Sequence, residues 1–314
     1  MSALERLGIN RKEALSVKDC SPEQIQTAEC FGYKWSKRDT YESESMKNLS
    51  KNWLIERYCG GDIDKLAGWL EGERRIILDA GCGSGYSAIL FLGDHLKNHD
   101  YLGVDISSAV NVAQCRFEEK GYPGDFMQMN LMDLPVPDGS LDLIFSEGVL
   151  HHTDSVAESI KYLAEKLKDG GRFLFYVYGK KSIVREFTDD FIRKRIQDLD
   201  DEQAWEALIP LTKLGNVLGN TKIEIEIPEN IPLLDIEKGK IDLQRFFYWH
   251  ICKLFYSSDL TLEEMNHINF DWFRPLNCHR HTPEEIKDFC ANAELTIEHM
   301  DVQKSGITVV ALKR

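Results

Sequence analysis

The sequence predicts an α/β fold: a mostly parallel sheet covered by helices on both faces, with a helical N-terminal arm and an inserted cap. Three observations predict it. From Arg75 onward, short apolar runs alternate with helix-length segments, the rhythm of strands and helices in a parallel sheet. The runs at 141–145 and 173–178 are nearly continuous in apolar residues, as strands buried on both faces require. The first run passes from Asp79 into three alternate glycines, Gly81, Gly83 and Gly85, where the backbone must turn tightly between a strand and a helix.

The elements follow in order. Residues 1–60 read as polar and helical, with a helix start marked by Ser21, Pro22 and Gln24, a capping residue, a proline at the first helical position and a glutamine three residues on. The aromatic set Phe31, Tyr33, Trp35 and Tyr41 either folds over a pocket mouth or pins the arm to the core. Strands are expected at 76–80, 101–105, 125–129, 141–146 and 172–178, with helices from Tyr86, Ala109 and Val156 between them. Residues 181–279 break the rhythm with an Arg- and Asp-rich helical stretch, one alternating strand at 223–227 and an aromatic helix from Phe246 onward. Thr282, Pro283 and Glu285 then open a helix, and strands at 295–300 and 307–312 close the chain. The domain reading is an arm or lid at 1–60, a core at 61–180 and 280–314, and a cap at 181–279 that carries the acceptor site.

At 314 residues with 43% hydrophobic and 29% charged residues, one core with embellishments is expected. Acidic residues outnumber basic ones 52 to 38, for a net charge of -14, which opposes loose attraction to nucleic acid or an anionic membrane face. No run of 18 apolar residues occurs and the first ten residues lack the apolar stretch of a signal peptide, so a cytoplasmic protein is expected. The eight cysteines form no C-x-x-C pair, and read as reduced, buried side chains. Oligomeric state stays open.

The glycine loop carries the chemistry. Its turn, followed by a helix N-terminus with unpaired N–H groups, suits the carboxylate of an amino-acid moiety. The spacing is G-x-G-x-G, whereas a dinucleotide loop is G-x-G-x-x-G, which disfavours a nicotinamide oxidoreductase. Asp105 ends the second strand about 20 residues later, positioned to accept hydrogen bonds from a ribose diol. Asn130 and Leu131 follow the third strand, offering an amide acceptor and an apolar surface to an adenine. Ser146 and Glu147 end the fourth strand, at the edge where such sheets bind ligands.

Together the segments DAGCGSG at 79–85, VD at 104–105, DLPVPDGSLD at 133–142, GVLHH at 148–152 and KDGGR at 168–172 resemble the class I S-adenosylmethionine-dependent methyltransferases, in particular the group containing ubiquinone-biosynthesis C-methyltransferases. The resemblance covers 75–178; the insertion and the arm resemble, loosely, a bacterial branch without an assigned acceptor. It implies a Rossmann-like seven-stranded sheet whose last strand is antiparallel, and S-adenosyl-L-methionine as cofactor with S-adenosyl-L-homocysteine as product. The cofactor contacts it implies are Asp79, Gly81, Cys82, Gly83, Gly85, Asp105, Ile106, Asn130, Leu131 and Ser146. The family usually has Asp where this chain has Asn130, whose amide oxygen can still accept from the adenine amino group, so altered affinity is expected.

Methyl transfer needs alignment of acceptor and methyl, plus proton removal from some acceptors. Glu147, His151 and His152 are the candidate catalytic groups; the histidines serve either as base or as first-turn residues packed beneath the cofactor. Tyr33, Trp35, Tyr248, Trp272, Arg274, His279 and Arg280 are the candidate acceptor contacts, the arginines as clamps on an anionic group and the rings as apolar walls. Glu264, His267, Asp271, His279 and His281 contain metal-ligand types but no known spacing, and Thr261 with Glu264 reads as a capping box, so no metal is expected. The expected function is methyl transfer to a small anionic metabolite, without nucleic-acid or membrane partners. The alternative is an S-adenosylmethionine-binding protein without methyl transfer, a regulatory binder or an aminopropyl-type transferase.

Overall fold

A computed structural model describes residues 2–10 and 20–314; the part of the helical reading that falls on 11–19 lies outside them. The strands are β1 Ile76–Ala80, β2 Asp100–Asp105, β3 Asp125–Gln128, β4 Leu141–Glu147, β5 Leu167–Tyr178, β6 Glu224–Ile227, β7 Gly239–Asp242, β8 Leu295–Val302 and β9 Gly306–Lys313. The helices are α1 Ala3–Leu7, α2 Pro22–Ser36, α3 Glu44–Cys59, α4 Asp64–Leu70, α5 Tyr86–Leu92, α6 Ala109–Lys120, α7 Val156–Lys166, α8 Ile183–Ile196, α9 Asp201–Thr221, α10 Leu243–His250, α11 Leu262–Phe273 and α12 Pro283–Asn292. The chain divides into two compact units. One contains Met1–Ser36, Lys47–Gly179 and Asn277–Arg314, the other Lys37–Met46 and Lys180–Leu276.

The first unit is built on a seven-stranded sheet of order β3-β2-β1-β4-β5-β9-β8. β9 runs antiparallel to both neighbours and the remaining pairings are parallel, the Rossmann-like arrangement the sequence predicts. β1 is buried at every position, so its alternate residues feed two cores. Leu78 and Ala80 pack with Val156, Ile160 and Leu163 of α7 and Ile286 of α12. Elsewhere in the unit Phe91 stacks on Phe145 at 5.6 Å beside Tyr58, and Tyr101 packs against Phe117 at 4.5 Å. Each fully buried large apolar side chain of this kind contributes about 1.5–3 kcal/mol.

Register aligns the strand ends. Asp79 faces Gly103 of β2 and Phe145 of β4, which sets the carboxyl ends of β1, β2 and β4 side by side. At the opposite edge α1 is fixed by its capping box, Ser2 with Glu5. From there the Leu4 N–H donates to Asp125 at 3.0 Å and Arg6 pairs with Asp100 at 2.6 Å.

In the second unit α9 starts from a capping box of Asp200 and Gln203 and packs against α11 through Trp205 and Phe270, 5.3 Å apart. Thr212 on α9 donates to Asn266 at 2.7 Å and accepts from Asn269 at 2.9 Å. The aromatic helix starts earlier than its rings imply, at Leu243, because Asp242 caps it by accepting from the Arg245 N–H at 3.0 Å. β7 carries no apolar alternation and exists as the hairpin partner of β6. Among the described residues no helix is long and apolar enough to cross a membrane.

Candidate active site

Gly81, Gly83 and Gly85 all have positive φ, at 88°, 50° and 70°, a region that disfavours residues with a Cβ. A Cβ on Gly81 would lie 2.3 Å from Val149, and one on Gly83 would lie 2.9 Å from the Trp35 indole nitrogen. The N–H groups of Gly81 and Cys82 donate to the Val104 carbonyl at 2.8 and 2.9 Å. The Gly83 N–H donates to Asp105 Oδ2 at 2.8 Å, while the Ser107 N–H and hydroxyl donate to Oδ1 at 2.8 and 2.6 Å. The loop and the end of β2 are thereby one hydrogen-bonded piece.

Asp79 and Asp105 are 3% and 8% exposed. Burial pushes the Asp79 carboxyl up to about 7, aided by the charges of Asp105 and Glu147 and opposed by the Tyr101 hydroxyl, which donates to it at 2.6 Å. Burial raises Asp105 too, against the Ser107 and Gly83 hydrogen bonds and the charge of Lys34. Cys82 is buried and its thiol is raised by that burial. The Ser146 hydroxyl donates to the Ala80 carbonyl at 2.8 Å, tying β4 to the loop. The Ile106 carbonyl accepts from Gln128 at 3.2 Å. Asn130, the expected adenine acceptor, follows β3. Its Oδ1 accepts from the Met132 N–H at 3.0 Å and caps the turn that holds the buried Leu131.

Glu147 ends β4 between two partners on α3. Arg57 donates to its Oε1 in a buried ion pair and the Tyr58 hydroxyl donates to Oε2 at 2.6 Å. The Arg57 guanidinium lies between the Trp53 and Tyr176 rings, 3.8 and 4.1 Å from their centroids. Burial opposes its charge, but Glu147, Tyr176 and Tyr58 outweigh that and raise its pKa. Burial and Glu147 together raise the Tyr58 hydroxyl well above its ordinary value. His151 stacks on Tyr178 with centroids 3.6 Å apart, and His152 Nδ1 lies 2.6 Å from the Asn277 carbonyl. The His279 N–H donates to the His151 carbonyl at 2.8 Å, which brings the 277–281 segment to the same strand ends. Arg280 donates to the Cys278 carbonyl at 2.6 Å. Tyr33 is half-buried on α2, and Trp35 lies against the glycine loop.

The remaining candidates belong to the second unit. Trp272 donates its indole N–H to Asp189 at 2.8 Å, and the Tyr248 ring lies 4.7 Å from the Arg185 guanidinium. Arg274 is 6% exposed. It donates to Asp201 at 2.7 Å and to the Leu199 carbonyl at 2.9 Å, so the guanidinium expected to clamp an anion instead holds the α8–α9 connection. Glu264 closes the Thr261 capping box and His267 Nδ1 lies 2.7 Å from the Thr40 hydroxyl. Among the described residues no group of three or more His, Cys, Asp or Glu is disposed to hold a metal.

Sequence reasoning did not find Arg57, Tyr58, Lys34 or Tyr101. Arg57 and Tyr58 lie on a helix read only as polar. The one usable signal was Trp53 four residues before Arg57, a spacing that places a ring beside a cation on one helix face.

A family described as a methyltransferase domain matches residues 78–175. A tRNA U34 carboxymethyltransferase of Shewanella halifaxensis is 34% identical over 128 residues, covering 38% of this chain and 37% of that protein. The uncharacterized methyltransferase YcgJ of Bacillus subtilis is 30% identical over 146 residues, 44% of this chain and 56% of that protein. The matches thus span 37% and 56% of these two relatives' lengths. The crystal structure of magnesium protoporphyrin IX methyltransferase from Synechocystis, with bound S-adenosylhomocysteine, aligns with a TM-score of 0.50 at 14% identity, over 93% of this chain and 100% of that one. That likeness is one of fold.

Proposed function

We propose, from the match of residues 78–175 to a methyltransferase domain, that this chain is a class I S-adenosylmethionine-dependent methyltransferase that transfers a methyl group to a small anionic metabolite in the cytosol. One observation carries the reading: three glycines with positive φ form a loop whose Gly83 N–H is bound to Asp105. A side chain at Gly81 or Gly83 would collide with Val149 or Trp35, so only glycine allows this tight turn into the α5 N-terminus, the kind of loop that receives the amino-acid end of an adenosylated ligand.

S-adenosylmethionine supplies a methyl group activated by a sulfonium. Gly81, Cys82, Gly83 and Gly85 would hold its amino-acid end. A carboxylate has about four acceptor positions, and protein donors fill three on Asp105, so the ribose would take the fourth or displace the Ser107 hydroxyl. Leu131 and the Asn130 backbone would flank the adenine, with Ile106 and Ser146 shaping the floor. The charges of Asp105 and Glu147 both act against ionisation of Asp79, and a sulfonium cation would relieve that repulsion. Glu147, oriented by Arg57 and Tyr58, would accept a proton or hydrogen bond from the acceptor, with His151 and His152 beside it.

The preference for a small acceptor over a polynucleotide rests on the overall charge of -14, and its anionic character rests on Arg280, which lies in the segment that His279 joins to the His151 carbonyl. The cytosolic reading rests on eight scattered cysteines, six of them buried, which pack as small apolar side chains in a reducing compartment. The relative named for tRNA carboxymethylation is matched over 38% of this chain, so its acceptor does not carry over by similarity alone. Calorimetric titration with S-adenosylmethionine and S-adenosylhomocysteine tests the cofactor assignment, and binding of neither sinks it. Incubation with an acceptor panel separates the alternatives: S-adenosylhomocysteine marks methyl transfer, methylthioadenosine marks aminopropyl transfer, and binding without turnover marks a regulatory binder.

A further inference from the structure

Helix α8 turns its polar side inward. Ile183, Phe187 and Phe191 are 68%, 74% and 53% exposed, whereas Arg185, Asp189 and Arg193, at the same four-residue spacing, are 1%, 1% and 9% exposed. A surface helix ordinarily buries its apolar stripe. Burying ion pairs in its place gains little stability and often loses some, so folding alone does not account for the pattern.

The inward charges gather around one ring. The cationic groups of Lys253 and Arg193 lie 4.9 Å from the Trp272 ring centroid, that of Arg185 5.3 Å and that of Lys181 5.6 Å. Asp189 is the deeply buried carboxylate facing them. It accepts from Arg185 Nε at 3.1 Å, the Trp272 indole at 2.8 Å and the Lys253 N–H at 3.0 Å. Arg193 is held by the exposed Asp190 at 2.7 Å and by the Trp272 carbonyl. One terminal nitrogen of the Arg185 guanidinium is buried without a hydrogen-bond partner, a costly state for a charged group. The Lys181 ammonium is pushed well below its ordinary range, by burial first and then by Arg185 and Lys253, with Glu186 and Asp189 too weak to restore it. Four cations thus crowd one ring, with Asp189 as the deeply buried carboxylate and Glu186 and Asp190 nearer the surface, in a chain that is strongly acidic overall.

We propose that this unit contains an oxyanion-binding site in which Arg185, Lys181 and Lys253 receive the carboxylate or phosphate of a small molecule beside the Trp272 ring. An anion there would pair the unfilled Arg185 donor and offset the repulsion among the three cations. The flanking rings of Tyr248 and Trp249, 4.7 and 5.7 Å from the Arg185 guanidinium, suit an apolar or aromatic body attached to the anionic group. The site stands on this unit's residues and does not depend on methyl transfer.

The test is calorimetry on the full chain at constant ionic strength, with inorganic phosphate and benzoate in separate arms and S-adenosylhomocysteine titrated in parallel. Saturable binding of phosphate alone identifies a phosphoryl ligand, of benzoate alone a carboxylate ligand, and of both a site that reads charge. Lys181→Met should weaken that binding about tenfold and Arg185→Lys at least as much, with S-adenosylhomocysteine affinity unchanged. Failure of both anions to saturate, or an unaltered affinity in Lys181→Met, overturns the proposal. If Arg185→Lys does not fold, the half-buried Lys181 decides alone. The parallel titration reports on the cofactor reading separately.

Discussion

Asp79 and Asp105 stand on neighbouring strand ends, both buried, yet physics treats them differently. Asp105 has three protein donors, whereas Asp79 has the Tyr101 hydroxyl and is pushed up to about 7. Replacing Asp105 with Ala should weaken S-adenosylhomocysteine binding by about 1–3 kcal/mol; an unchanged calorimetric affinity counts against the ribose role. Asp79 gives a pH dependence. Its folded pKa is raised above the unfolded value, so the native state holds a proton that the unfolded chain releases near pH 4. Its contribution to stability is therefore full below about pH 4 and is lost as pH rises through about 7. A cationic ligand favours the ionised form, so affinity for S-adenosylmethionine relative to S-adenosylhomocysteine should rise between about pH 6 and pH 8. Titrations across that range should show the rise in the native chain and a flat ratio in Asp79→Asn; a flat ratio in both dissociates Asp79 from the sulfonium.

At the scale of elements, α2 and α11 do work that their sequences describe only in part. α2 brings Gly32 against Ser108 and Trp35 against Gly83, so it covers the glycine loop. Trp35→Ala should speed S-adenosylhomocysteine dissociation by about tenfold, one factor of 1.4 kcal/mol, as read by stopped-flow fluorescence or surface plasmon resonance. An unaltered rate would remove α2 from the exchange path. At the end of α11, Arg274 joins Asp201 and the Leu199 carbonyl. Arg274→Ala leaves two half-buried partners without this donor, and should destabilise the protein by about 1–3 kcal/mol in denaturant titrations while sparing S-adenosylhomocysteine affinity. Normal stability with impaired turnover would instead restore the anion clamp that its sequence context suggests.

For the whole molecule, charge is the property that decides between acceptor classes. At -14 the chain repels phosphate backbones unless a local basic face overcomes it. A tRNA-sized RNA should therefore give no mobility shift with the full chain at about 50 mM salt. A shift that fades as salt rises would favour a polynucleotide acceptor over a small one.

The sequence by itself determined the sheet and the glycine loop, because both depend on local order along the chain. Apolar runs define strands, capping residues define the starts of α2, α11 and α12, and the three glycines specify a turn that few other residues can make. Tertiary structure alone decided which charges are paired. Glu147 is separated from Arg57 by 90 residues, Arg274 from Asp201 by 73 and Trp272 from Asp189 by 83. No periodicity records such distances. Whether a charged side chain serves as a clamp, a brace or an unfilled donor is set by burial and by partners that meet only when the chain has folded.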